Sequence, residues 1–179
     1  MSLNELQTWS ENRNQIPIES DQVFCAGFQC STKPRKFRMF LTTKRLIQNS
    51  LHQQNCVSDA TYKLIFEEYP VFTVGNIDKN KRFHPFGLGI ASNEEESEFG
   101  FIFSSVKSAS KQINSLDYSP SILIADDAGA ITNGFRSNFE LKKIVTISFL
   151  FVFLFFDQLT NLFLFSESYM LGTHNSKYR

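Results

Sequence analysis

Two aspartates stand beside extended apolar segments, and carboxylates in such places are the hard oxygen ligands that Mg2+ takes. Asp59 falls within residues 56–66, a run of β-branched and aromatic residues, and Asp126 ends the apolar run Ser121-Ile-Leu-Ile-Ala125, 67 residues further on. By residue type alone the pair is not singled out among 18 acidic residues, since surface or capping roles would account for both. Asp127 would point to the opposite side of an extended strand from Asp126, which suits it to capping the helix that follows. His84 reads as structural and Asp78 as a turn residue. Ser58 and Thr61 flank Asp59 with no histidine base nearby in sequence, so catalysis by a nucleophilic hydroxyl has no support.

A second constellation is electrostatic. Residues 33–45 hold six basic side chains, Lys33, Arg35, Lys36, Arg38, Lys44 and Arg45, with Phe37, Met39, Phe40 and Leu41 between them and no acid. A solvated strand-and-helix face explains such a run, and so does contact with a DNA backbone. The whole chain gives no help in choosing, because Lys+Arg and Asp+Glu are balanced at 18 each and any DNA contact must come from a local patch.

The elements that must position these residues are legible from their periodicity. Residues 56–66, 69–77 and 82–91 are each rich in β-branched, aromatic or alternating apolar residues. Glu67-Glu68 and the polar link at residues 78–81 turn them into an antiparallel three-strand meander. Asn93 followed by Glu96 reads as a capping signal, and Phe99, Ile102, Phe103 and Val106 form a helical stripe. A polar linker over residues 107–119 then leads to a fourth strand ending at Asp126, and Ala130, Ile131, Phe135 and Phe139 recur at near-helical spacing. Upstream, a short helix around residues 3–12 precedes a lead-in loop. The expected fold is therefore α/β: meander, crossover helix, fourth strand, second helix, an order that suits a partial ribonuclease H-like mixed sheet among other α/β domains.

Three blocks carry a resemblance: Asp59-Ala-Thr-Tyr-Lys-Leu64; Tyr69-Pro-Val-Phe-Thr-Val-Gly-Asn-Ile-Asp78 with Arg82-Phe-His-Pro-Phe-Gly-Leu-Gly-Ile-Ala-Ser92; and Pro120-Ser-Ile-Leu-Ile-Ala-Asp126-Asp-Ala-Gly-Ala-Ile-Thr-Asn-Gly-Phe135. They resemble the catalytic domain of Mutator-like element (MULE) transposases, DDE enzymes that cut and join DNA with metal ions held on a ribonuclease H-like sheet. The resemblance implies that Asp59 and Asp126 are the first two catalytic carboxylates and share a site for Mg2+ or Mn2+. It also implies that DNA, as transposon ends and target, is the partner, that Arg35, Lys36, Arg38, Lys44 and Arg45 are candidate DNA contacts, and that self-association is to be tested.

The resemblance covers about residues 36–139, which divides the chain into a polar lead-in at 1–36, a transposase domain at 37–139 and a Phe-rich tail at 140–179. The family's third carboxylate block is not matched after Phe139, and Glu140, Asp157 and Glu167 lack its surroundings. The expectation is a domain truncated before its third catalytic residue and inactive as this chain. Residues 149–165 contain seven of the twenty phenylalanines. That tail has three readings: a membrane span over residues 144–165, shorter than the usual 20 apolar residues before Asp157 interrupts it; a core element; or a segment without selected structure. The rival functions are a non-enzymatic interaction or membrane-anchored protein built on a decayed transposase domain, and an unrelated small-molecule α/β enzyme.

Cys25, Cys30 and Cys56 show no CxxC pairing, which argues against a zinc site or disulfide framework and for a reducing compartment. With no apolar stretch of signal-peptide type at the polar N-terminus, a nuclear or cytoplasmic location is expected, with the membrane as the alternative.

Overall fold

Segments rich in β-branched, aromatic and small apolar residues form one sheet here, its central strands buried almost throughout, and a helical stripe led by phenylalanines closes one of its faces. The computed structural model describes residues 2–61, 69–126 and 128–146, all within a single unit, Met1–Ile147. In chain order the elements are α1 (Leu3–Glu11), β1 (Phe24–Thr32), β2 (Arg35–Thr42), α2 (Lys44–Gln48), β3 (Asn55–Thr61), β4 (Val71–Ile77), β5 (Phe83–Ala91), α3 (Glu96–Asn114), β6 (Ile122–Ala125), α4 (Gly129–Arg136) and β7 (Lys143–Thr146). The seven strands form one mixed sheet in the order β1-β2-β5-β4-β3-β6-β7. β3, β4 and β5 are the expected antiparallel meander, and β6 joins β3 in parallel, as a strand reached through a crossover helix must. The architecture is consistent with a partial ribonuclease H-like fold.

The core lies between the sheet and α3. Phe99, Ile102, Phe103 and Val106 are fully buried, as their spacing predicts, against Phe72, Val74, Phe86 and Leu123 of the strands. The rings interlock edge to face: Phe72 with Phe99 at 4.9 Å, Phe103 with Phe135 at 5.5 Å and Phe103 with Phe139 at 6.1 Å. α4 lies close to α3 because Gly134 has no side chain. A Cβ there would come within 2.6 Å of the Phe99 Cβ, 2.8 Å of the Gly100 nitrogen and 3.0 Å of the Glu96 carbonyl oxygen. Two of those neighbours are backbone, so relief requires a helix to move. Gly134→Ala is expected to cost about 1–3 kcal/mol, the usual range for overpacking, and urea denaturation would read it as a lower midpoint. An unchanged midpoint would mean that α4 shifts freely.

Several local expectations need correction. Residues 24–32 are a strand, β1, and not part of a loop; the pairing with β2 shifts register between Cys25 and Gly27, and this bulge breaks the alternation a strand normally shows. The residue that caps α3 is Glu95, whose side chain makes no cap bond, and Asn93 instead donates to the Glu95 carboxylate. The polar linker at 107–119 is largely helix, since α3 continues to Asn114. Serines disguise that continuation: Ser104 and Ser105 return their hydroxyls to the Phe101 carbonyl, which lets polar residues remain inside a buried helix. Past Phe139, Lys143–Thr146 adds β7, parallel to β6 at the sheet edge. Among the described residues no helix is long and apolar enough to cross a membrane. Asp127 and most of the Phe-rich segment lie outside the described residues.

Candidate metal centre

The ladder between β3 and β6 decides where the aspartates go. Asn55, Cys56 and Val57 pair with Ile122, Leu123 and Ile124, and the same offset carried two residues on sets Asp126 level with Asp59. In a parallel pair, residues in register share a face, and neighbouring strands lie about 4.8 Å apart. Asp59 therefore alternates away from the α3-covered face occupied by Cys56 and Ala60, and Asp126 away from that of Leu123 and Ala125.

Both side chains are constrained. Asp59 is 8% exposed. Burial pushes its carboxyl up from 3.8 to about 6, a hydrogen bond from the Ala60 amide opposes the rise, and the nearby charge of Asp126 adds to it. Asp126 is thus near enough for its charge to be felt at Asp59, though burial is the larger influence. Asp126 is half-buried, and its Oδ1 accepts the Ala128 N–H at 3.1 Å, so one of its oxygens also orders the turn into α4. Thr73, opposite Asp59 on β4, is buried and contributes a hydroxyl beside the site, its Oγ1 lying 3.5 Å from the Asp59 carbonyl oxygen. Sequence reading passed over Thr73; only its cross-strand position marks it.

The donor set suits a hard cation. Two carboxylates beside a hydroxyl offer oxygen donors, and no group of Cys or His side chains joins them among the described residues to favour zinc. No Lys, Arg or His forms an ion pair with Asp59 or Asp126 among the described residues, so the buried negative charge there has no side-chain counterion. The set is also small: no group of three or more His, Cys, Asp or Glu side chains converges among the described residues. Glu140 is exposed and precedes β7, which runs parallel to β6, so it sits at the end of the sheet opposite to Asp126.

The other candidates resolve into structural roles. Asp78 accepts the Asn80 and Arg82 amides and contacts His84 at 3.1 Å, and the Arg82 bond, the largest of these influences, holds its carboxyl below the usual range. Ser58 donates to the Thr73 carbonyl. His84 thus belongs to the β4–β5 turn and not to the aspartate pair.

The sequence profile of the MULE transposase domain matches residues 55–153, which contain both aspartates and every strand from β3 to β7. This chain belongs to the MULE transposase domain family. The match begins at β3, so α1, β1, β2 and α2 precede the matched MULE region, and it runs on past Phe139 through β7. No curated protein matches the chain. A transposase-related function follows from membership, as does the divalent-metal dependence general to MULE transposases and DNA as the class of partner.

Proposed function

We propose that this MULE domain is a DDE-type catalytic core in which Asp59 and Asp126 are the first two carboxylates and together hold one Mg2+ or Mn2+ ion for work on DNA. The observation that carries the proposal is the shared register of β3 and β6, which brings residues far apart in sequence onto one face of adjacent strands. The raised proton affinity of Asp59 supports it, because a buried carboxylate facing another is stabilised by a cation between them. Bound there, a divalent ion supplies charge stabilisation to phosphate oxygens and lowers the pKa of an attacking hydroxyl. The chain's own contribution is to fix Asp59 by strand pairing, to orient Asp126 through the Ala128 amide, and to exclude water around Asp59 by burial.

With two of the three expected carboxylates among the described residues the site falls short of what two-metal strand transfer needs, so these residues alone are not expected to join DNA ends. The same shortage favours, as a second reading, a decayed transposase domain that still binds DNA without cutting it. Electron paramagnetic resonance of the full chain with Mn2+ tests the proposal. One bound ion per chain is expected, and none in the Asp59→Ala/Asp126→Ala double variant; equal binding by both proteins would remove the site. A gel assay with pre-cleaved ends is expected to show no joined product. Joining that depended on both aspartates would place a third carboxylate outside the described residues and exclude the second reading.

A further inference from the structure

The structure separates the six basic residues that the sequence groups together. β2 is antiparallel to β3, so Arg35, at the start of β2, lies at the end of the sheet where β3 finishes, whereas Lys44 and Arg45, which follow β2, lie at the end where β3 begins. Lateral rows make this explicit: Leu41, Leu88, Thr73 and Asp59 share one row, and Met39, Ile90, Val71 and Thr61 share the row two residues further toward the end where β3 finishes.

Beyond Phe37, whose amide and carbonyl are still hydrogen-bonded to Ser92 just after β5, the β1–β2 hairpin continues by itself. β5 pairs with β2 only from Arg38 to Leu41, while β1 follows β2 up to the Thr32–Arg35 pair. The result is a two-stranded arm past the sheet, with Lys33, Pro34 and Arg35 exposed at its tip. From Leu41 to Arg35 is six residues, about 20 Å along the strand, and β2 lies three strands from β3, about 14 Å across. The tip is thus about 25 Å from Asp59, or about seven base pairs of duplex at 3.4 Å each.

The cations along the arm differ in how they are held. Arg38 is anchored: it bonds the Ser97 carbonyl and Gln29, pairs with Glu98 at 3.8 Å and lies over the Phe101 ring. Lys36 pairs with Glu95 at 3.6 Å. At the other pole Lys44 donates to the Ile18 carbonyl and Arg45 pairs with Asp21. Lys33 and Arg35 form no ion pair among the described residues.

We propose that the tip of the β1–β2 arm, through Lys33 and Arg35, is a contact for the phosphate backbone of duplex DNA whose scissile region lies at the Asp59–Asp126 pole, and that Lys44 and Arg45 are not part of this surface. The proposal rests on the metal-centre reading for the position of that pole. A two-stranded ribbon fits the width of a DNA groove, and paired surface charge is already neutralised, so free cations at a projecting tip are those that displace counterions. Sequence is not read by such contacts.

The test is the salt dependence of binding between the full chain and a fluorescent duplex of about 30 base pairs, measured in EDTA. Each phosphate contact contributes about 0.9 to the slope of log affinity against log salt. Lys33→Gln/Arg35→Gln is expected to weaken binding and flatten the slope by about 1.8, while Lys44→Gln/Arg45→Gln leaves it unchanged. An unaltered slope in the arm variant, a flattening in the Lys44/Arg45 variant, or no duplex binding by the native chain would each overturn the proposal. Mn2+ binding measured on the same proteins keeps the two readings apart: an arm variant that binds Mn2+ normally is folded, and loss of the DNA contact alone leaves the metal centre standing.

Discussion

Asp59→Asn is expected to make the metal-free protein more stable at pH 7.5, by about 3 kcal/mol. Asp59 has a folded-state pKa of about 6 against an ordinary value of 3.8, and each unit is worth about 1.4 kcal/mol. A raised pKa means that the fold favours the protonated acid. The stability contributed by that neutral carboxyl is fully present below pH 3.8 and is lost as pH rises through 6, so at pH 7.5 the native protein carries the whole cost of a buried charge. Asparagine cannot ionise and does not incur it. For a chain of this size the gain corresponds to about 6–12 °C in melting temperature. The two proteins should converge near pH 4 and separate between pH 4 and pH 6.5, measured by differential scanning fluorimetry in EDTA. Excess Mn2+ should reverse the ranking by stabilising the native protein alone. A difference that did not vary with pH would show that the charge of Asp59 is not what the fold resists.

A buried carboxylate that the fold resists is not marked by local sequence pattern, and the candidate site was only partly legible for that reason. The meander and the strand leading to Asp126 announce themselves as runs of β-branched, aromatic and apolar residues, and the crossover stripe by the period of about 3.6 that burial of one helix face imposes. Phe99, Ile102, Phe103 and Val106 could be placed on the sheet from spacing alone. What could not be read was anything set by a partner remote in sequence. Thr73 becomes part of the site through its pairing with Asp59, and the register that aligns Asp59 with Asp126 belongs to the β3–β6 ladder, not to either segment. β1 was hidden by its bulge, and the second half of α3 by serines that bond their own helix. The basic run looked like one patch because its charges are contiguous in sequence, yet a strand carries its two ends to opposite poles: Lys33 and Arg35 project beyond the sheet, while Arg45 is tied to Asp21.

The affinity for Mn2+ should fall about tenfold between pH 7.5 and pH 5, and each aspartate should be needed for it. A metal ligand must be ionised, so below the pKa of Asp59 every unit of pH costs about a factor of ten, because the proton and the ion compete for one carboxylate. With that pKa at about 6, the site is almost fully ionised at pH 7.5 and about one-tenth ionised at pH 5. An aspartate with the ordinary value of 3.8 would lose very little over the same range, so the pH profile distinguishes binding at Asp59 from adsorption to exposed acids. Asp59→Ala and Asp126→Ala should each lower affinity at pH 7.5 by more than about tenfold, since direct ligands matter at least as much as the groups that orient them. Asp126→Asn is the sharper probe: it keeps an Oδ1 that can accept the Ala128 N–H and so preserves the turn into α4, but removes the charge. Weak binding by Asp126→Asn with an unchanged melting temperature assigns that carboxylate to the metal; full binding would confine its role to the turn.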